Sequence, residues 1–407
     1  MINIVHFQTG ITSSGSSVNR LHRLMLMNEL NSTILCATST DSGKGIRAFS
    51  GLKLKLYALK NTIEKSKMKS VKVKTFNRAK HGFKFSNSEV VKNADVIYLH
   101  WTQGGLLSLS ELKKIFKLGK PVVLSFRDSW YMTGGCHVPL DCDKYFNGCN
   151  NCPCLRERAD NDLSFLLYEH KMKLYNNFKN IFLLAPSEWI KQSILQTKIL
   201  QNKPIYQIGN ALDTNIYSQR SKENIRLKLG LNIEKNYLLF GSVSPTSNLN
   251  KGWNYLVDAL NIYSKNYSTD FELLVFGSEY EPDFEKNFNC KVNFLGKVDN
   301  EERLAEFYSA SDIFLTPSLS ESFGNTVIEA GSCGVPVVAF KIGGIKDTID
   351  HKKNGYLARF KDTTDFAFGI FYCLQNNLTG YLKEEFNPNV IIQKHLAMIA
   401  EIRSVKI

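Results

Sequence analysis

Two series of short apolar runs punctuate the chain, each run four to six residues long and followed by stretches with helical periodicity. The first series is Ile2–Phe7, Val96–Leu99, Val122–Phe126 and Ile181–Ala185. The second is Tyr237–Phe240, Leu273–Phe276, Ile313–Thr316 and Pro336–Phe340. Runs of Val, Ile, Leu and Phe without polar alternation predict strands buried on both faces, hence parallel sheets covered by helices. The β-α-β alternation occurs twice and predicts an α/β protein: two Rossmann-like, doubly wound domains facing each other across a cleft. Polar residues between Ile208 and Asn236 separate the series, giving an N-terminal domain over 1–210 and a C-terminal domain over 211–388.

A length of 407 residues suits two domains of about 200 residues each. Composition, 43% hydrophobic and 22% charged, excludes wholesale disorder. No apolar stretch reaches the ~20 residues that span a bilayer, and Met1–Phe7 lacks a basic leader region, so a cytoplasmic protein is expected.

The segment from Pro317 to Ala330 carries the most chemistry. It follows a predicted strand and contains Glu321, Phe323-Gly324 and Asn325-Thr326 before a helical pattern that includes Glu329. A strand, a glycine turn and a helix start place backbone N–H groups at a helix amino end, where they and the helix dipole suit a phosphate. Glu329, about one turn into the helix, is placed to accept hydrogen bonds from a ribose diol. Eight helical residues rise about 12 Å, roughly the length of a nucleoside diphosphate joined to a sugar, and Glu321 lies eight residues before Glu329. The bland reading, glutamates that cap and solvate a helix, leaves the accompanying glycine, proline and lysine signals unused.

These residues resemble glycosyltransferase family four. The matching pieces in order are Pro186-Ser187-Glu188-Trp189, Asn210-Ala211-Leu212-Asp213, Lys251-Gly252, Glu321-x7-Glu329, Gly334-Val335-Pro336, Gly343-Gly344-Ile345 and Asn354-Gly355-Tyr356. The resemblance implies the GT-B fold and retaining transfer from a UDP- or GDP-sugar without an essential metal. In it Glu321 meets sugar hydroxyls, Glu329 the ribose and Lys251 the diphosphate, with Phe323, Gly324, Asn325 and Thr326 around the donor. It also implies that the last helix, 389–407, packs back on the N-terminal, acceptor-side domain. An arginine common just upstream of the lysine is absent, with Ser242 and Asn250 at the plausible positions. Retention requires no covalent carboxylate if the departing phosphate deprotonates an acceptor hydroxyl on the same face, and developing charge on that phosphate is met by Lys251 and the helix start.

In the first domain a loop from Gly10 to Ser17 follows the opening strand. Its glycine spacing touches the Walker pattern, but Ser16 stands where that motif requires lysine, so Gly15 is read as allowing backbone to approach the donor, against the alternative of a plain turn. Asp128 and His100 stand at strand ends and are candidates for orienting donor or acceptor hydroxyls; His100 has the alternative reading of a structural histidine. Where related enzymes carry a His-Asp pair, this chain has Arg127-Asp128.

Five of nine cysteines crowd between Cys136 and Cys154. The stretch from Asp128 resembles a subgroup of the family acting in capsule, exopolysaccharide or O-antigen assembly. The spacing of Cys136, Cys142, Cys149 and Cys152 suits a structural zinc, with free or redox thiols and disulfides as the other readings.

Charge is uneven. Of a net +13, the segment Lys44–Lys84 holds eleven Lys, two Arg and one Glu. Within it Leu52, Leu56, Leu59 and Ile63 fall at helical spacing among lysines. The pattern suits a helix lying on an anionic membrane, peripheral to the inner face, where a polyprenyl-diphosphate-linked or other saccharide acceptor would be presented. A solvated surface helix is the plainer reading. Two rival functions remain: a basic nucleic-acid binder with a cysteine or zinc loop, which lacks helix-turn-helix or finger spacing, and a GT-B epimerase, which would release nucleotide without an acceptor. The expectation is no nucleic-acid partner.

Overall fold

A computed structural model describes residues 1–12, 16–66, 76–156, 158–243, 248–279, 285–298 and 300–405. The apolar runs lie at the centres of two parallel sheets. The first contains β1 (Asn3–Ile11), β2 (Asn31–Ser39), β3 (Ile46–Ala48), β4 (Val96–Leu99), β5 (Val122–Ser125), β6 (Ile181–Ala185) and β7 (Ile205–Gln207), in the order β3-β2-β1-β4-β5-β6-β7. The second contains β8 (Asn236–Gly241), β9 (Phe271–Phe276), β10 (Lys291–Gly296), β11 (Ile313–Thr316), β12 (Val337–Phe340) and β13 (Gly355–Ala358), in the order β10-β9-β8-β11-β12-β13. Every strand pair in both sheets is parallel. Both orders reverse direction beside their first strand, which is the doubly wound, Rossmann-like arrangement.

The chain divides into two compact units, one of Met1–Gly209 with Asn389–Ile407 and one of Asn210–Pro388. In the first unit β4, β5 and β6 are enclosed on both faces, as continuous apolar runs require. The helix Pro388–Ser404 buries Ile391, Ile392, Met398, Ile399 and Ile402, and its His395 Nδ1 lies 3.2 Å from the Tyr98 hydroxyl of β4. In the second unit β8, β11 and β12 form the centre of a core that also takes Trp253, Leu256 and Leu260 from the helix Trp253–Asn266. No helix among the described residues is long and apolar enough to cross a membrane.

Candidate functional site

In the second unit, β8 and β11 are spatial neighbours, yet the chain continues from β8 toward β9 and from β11 toward β12 on the other side. Their carboxyl ends therefore border the crevice that such a reversal opens. The loops leaving these two strands are locked together through backbone. The Leu319 amide donates to the Asn250 carbonyl at 2.8 Å, and Asn250 Nδ2 donates to the Ser320 carbonyl at 3.0 Å. Gly252 has φ +69°, and a β-carbon there would lie 1.8 Å from the Pro317 carbonyl oxygen. Only glycine fits at that approach.

This clamp fixes Lys251 beside Glu321, with Nζ 2.6 Å from Oε1. The same oxygen accepts from the Ser318 hydroxyl at 3.2 Å. Lys251 and Glu321 keep 30% and 21% of their side chains exposed. A pair so open to water contributes little to stability, and its groups remain reachable by a ligand. Beneath Glu321 the Gly344 amide donates to the Glu321 carbonyl at 2.9 Å. A β-carbon on Gly343 would fall 2.2 Å from that carbonyl oxygen, and one on Gly344 would fall 2.4 Å from the Ser322 oxygen. The paired glycines are thus a backbone buttress under the loop.

Gly324, at φ +99°, opens the helix Asn325–Ser332, and no side chain caps it. Its leading amides are left for solvent or an anion. The Asn325 side-chain oxygen accepts from Asn210 Nδ2 at 2.8 Å, while Thr326 is half-buried. Phe323 is buried edge-on against Phe386 and anchors the turn. Glu329 is buried, and its Oε2 accepts from the Tyr308 hydroxyl at 2.9 Å. Burial, then the neighbouring carboxylate, pushes the Tyr308 phenol well above its usual range, so it stays a donor. Asn210, Ser318 and Tyr308 were not singled out as site residues from the sequence. Tyr308 and Ser318 carry no motif, and Tyr308 lies 21 positions from the carboxylate it holds. A cavity of about 590 Å³ in this unit lies elsewhere, at the amino ends of β8 and β11 beside Asn236 and Asp312. Its Arg220 and Lys222 are paired with Glu302 and Asp312.

In the first unit the corresponding reversal lies between β1 and β4. Gly15 lies outside the described residues. His100, just beyond β4, is enclosed: its Nε2 is 3.0 Å from His6 Nδ1, and Arg127 Nε is 3.4 Å from its Nδ1. Both ring nitrogens face protein partners, so any effect of His100 on a ligand runs through Arg127. Asp128 is tied to His137 Nδ1 at 2.6 Å and accepts from the Trp130 amide at 2.8 Å.

Burial, followed by neighbouring His22 and Arg127 respectively, holds His6 and His100 well below the usual histidine range. Burial and Arg127 push His395 down to about 3. All three are neutral in the fold but titrate near 6.5 once unfolded, so the unfolded chain binds more protons below that pH. The stability they contribute is complete above about pH 6.5 and is lost as pH falls toward the folded values, by up to about 1.4 kcal/mol per pH unit for each imidazole. Thermal melts from pH 8 to pH 5 should fall more steeply below about pH 6.5 than above it. A level profile down to pH 5 contradicts this.

The cysteine-rich loop brings together a different set from the one expected. Cys136 Sγ lies 3.8 Å from Cys154 Sγ, and Cys152 is buried in the same cluster. Cys149 instead accepts from the Gly134 amide at 3.0 Å and packs into the main core. Cys142 is half-buried.

Residues 234–376 match the family described as "Glycosyl transferases group 1". The N-acetyl-alpha-D-glucosaminyl L-malate synthase of Bacillus anthracis is 30% identical over 215 residues, 51% of this chain and 52% of that protein. The chain thus spans about half the length of the curated relatives it matches. Among solved structures, a sucrose-phosphate synthase from Thermosynechococcus elongatus superposes with TM-score 0.63 at 15% identity, covering 99% of both chains. The Anabaena protein HepE, in complex with UDP and glucose, gives TM-score 0.62 at 16% identity over 100% of both chains. At such identities the likeness shows the fold: two parallel-sheet, Rossmann-like domains of the GT-B type.

Proposed function

We propose, from the group 1 glycosyl transferase match over residues 234–376, that this chain is a retaining glycosyltransferase whose second unit binds a nucleotide-sugar. The observation that carries the reading is the grouping, around one reversal of strand order, of Lys251, Glu321, an uncapped helix start at Asn325 and buried Glu329. Glu329 is oriented by Tyr308 to accept from ribose hydroxyls. The helix amides and Lys251 take the diphosphate, and Glu321 takes the sugar. A UDP-sugar is favoured over a GDP-sugar because a solved neighbour of the same fold holds UDP.

In the resting site Lys251 is held by Glu321. As the glycosidic bond breaks, negative charge grows on the β-phosphate, and Lys251 together with the helix start offsets it. The departing phosphate then takes the proton of the acceptor hydroxyl attacking from the same face. Both glutamates bind and orient, and neither acts as a covalent nucleophile. Titration with UDP and GDP by calorimetry tests the site: UDP should bind, and Glu329→Ala should weaken binding at least tenfold. Absence of binding by either nucleotide overturns the reading. Nucleotide release that requires no acceptor would point to an epimerase instead.

The acceptor proposed is a polyprenyl-diphosphate-linked or other saccharide of surface polysaccharide synthesis, met at the inner membrane face. The helix Gly51–Ser66 supports this. Its Tyr57 is buried, with Phe49 beside it, and Lys53 and Lys60 lie over the rings of Phe49 and Phe83 at 4.3 and 4.2 Å. Leu52, Leu54, Leu56 and Leu59 point outward, from 37% to 72% exposed. Leu52, Leu56 and Leu59 thus share an exposed apolar side, while two of the lysines face the protein. Apolar side chains entering the headgroup region, with nearby basic residues adding about 1 kcal/mol each, fit an anionic leaflet. Co-sedimentation should show preference for anionic over neutral vesicles and a loss of most binding in Leu52→Asp/Leu56→Asp. Equal binding to both vesicle types would sink the proposal.

A further inference from the structure

From Trp130 to Leu155 the segment after β5 has no strand or α-helix, yet its first turns are closely held. The Ser129 amide donates to the His137 carbonyl at 2.9 Å and closes residues 129–137 into one loop. The Asn77 amide donates to the Gly135 carbonyl at 2.7 Å, and a β-carbon on Gly134 would lie 2.1 Å from the Ser164 carbonyl oxygen. Trp130 Nε1 donates to the Asn77 carbonyl at 2.9 Å, and buried Lys171 donates to the Trp130 carbonyl at 2.5 Å. A loop fastened through its backbone at so many points holds its side chains in fixed directions.

One side chain so held is His137. Its Nδ1 lies 2.6 Å from Asp128 Oδ2, and Asp128 Oδ1 accepts from the Trp130 amide at 2.8 Å. Trp101, two residues beyond β4, places Nε1 3.1 Å from the same Nδ1, with the two ring centroids 5.6 Å apart. Only one of these contacts can set the proton. The carboxylate can only accept, carries charge and stands nearer, so Nδ1 holds the proton and Nε2 is a bare acceptor. Among the described residues nothing pairs with Nε2, and the atom is not sealed from solvent. The His137 side chain keeps 9% of its surface exposed, and Trp101 beside it is half-buried.

These groups stand beyond the carboxyl ends of the neighbouring strands β4 and β5, the edge at which such sheets take ligands. His100, on the same edge, has both ring nitrogens on protein partners. A bare ring nitrogen accepts one hydrogen bond, and an indole offers a flat apolar face whose negative π-cloud attracts C–H groups. A sugar ring presents the complementary pair: a hydroxyl donor on its rim and C–H groups on its face. An anion fits poorly, because it would meet the lone pair of Nε2 with the Asp128 carboxylate behind it.

We infer that His137 Nε2 and the Trp101 indole form a saccharide subsite on the first unit, where Nε2 accepts from one pyranose hydroxyl. Asp128 is then a positioning residue that acts through His137. The inference rests on the glycosyltransferase reading only in taking that sugar to be the acceptor, since the subsite belongs wholly to the first unit.

The test uses the full chain with isotope-labelled histidine. Long-range proton–nitrogen NMR should show His137, assigned by its absence in His137→Asn, with the proton on Nδ1 and none on Nε2. A proton on Nε2 overturns the inference. Methyl glycosides of glucose, galactose, mannose and N-acetylglucosamine are then titrated, with UDP binding measured on the same samples. At least one glycoside should bind and move the Nε2 resonance. His137→Asn keeps an amide that can donate to Asp128 but has no atom in the place of Nε2. It should weaken that glycoside about five- to tenfold and leave UDP binding unchanged, and Trp101→Leu should weaken the glycoside similarly. A resonance that no glycoside moves, or a His137→Asn chain that binds as tightly as the unaltered one, overturns the subsite. Failure of the unaltered chain to bind UDP, with the glycoside response intact, would overturn the nucleotide-sugar reading and support the subsite alone.

Discussion

Lys251→Ala should lower turnover about a hundred- to a thousandfold while the second unit melts normally. Among the described residues the lysine is the cationic side chain paired with Glu321, and its exposed pairing adds little to folding. Its loss removes charge where the leaving diphosphate develops it, an effect felt most in the transition state. The same change should weaken ground-state binding of UDP far less than it slows transfer, because the helix amides remain. Acceptor-dependent UDP release, measured beside a thermal melt, gives the comparison. A variant retaining more than about a third of the original rate would remove Lys251 from the reaction.

Gly252→Ala should cost about 3 kcal/mol or more and abolish donor binding. At this position the left-handed backbone and a contact of 1.8 Å with the Pro317 carbonyl exclude a β-carbon together. Relief requires the turn to retreat, which carries Lys251 away from Glu321 and parts Asn250 from Leu319 and Ser320. Gly230 is the control. It has nearly the same φ, +68°, with nothing within 4 Å of a built β-carbon. Gly230→Ala should therefore cost only about 1 kcal/mol and leave UDP binding alone. Denaturant melts of the two variants decide, and equal losses would show that backbone conformation, not the close approach, makes Gly252 necessary.

The eight runs read from the sequence are all strands, because interior parallel strands are wrapped on both sides and their residues have no reason to alternate. The missed strands are mostly at sheet margins. β3 reads Ile-Arg-Ala and β7 reads Ile-Tyr-Gln, each half-covered or exposed, so polarity enters and the apolar signal fades. β2 is interior, yet its Asn31-Ser32-Thr33 opening hides it among turn-forming residues. The site was legible where it depends on backbone geometry: Gly252, Gly324, Gly343 and Gly344 all stand where a side chain would collide or the dihedral forbids one. It was illegible where a group from a distant element orients another, as Tyr308 does for Glu329 and Asn210 for Asn325. Spacing also could not choose among five cysteines, since the sulfur beside Cys136 comes from Cys154 and not from the evenly spaced Cys149. The leucines of the helix Gly51–Ser66 were found by periodicity, but which side faced outward depended on Phe49, Phe83 and Phe85 from other segments.

The contact of Gly343 and Gly344 with the backbone of Glu321 and Ser322 sets a rule for anyone grafting donor preference between relatives. Exchanging the segment around Glu321 by itself would seat a foreign loop on a platform shaped for another, with ångström-scale mismatch beneath the very carboxylate being retuned. The two stretches form one transferable cassette, and chimeras that swap both should keep working more often than those that swap either.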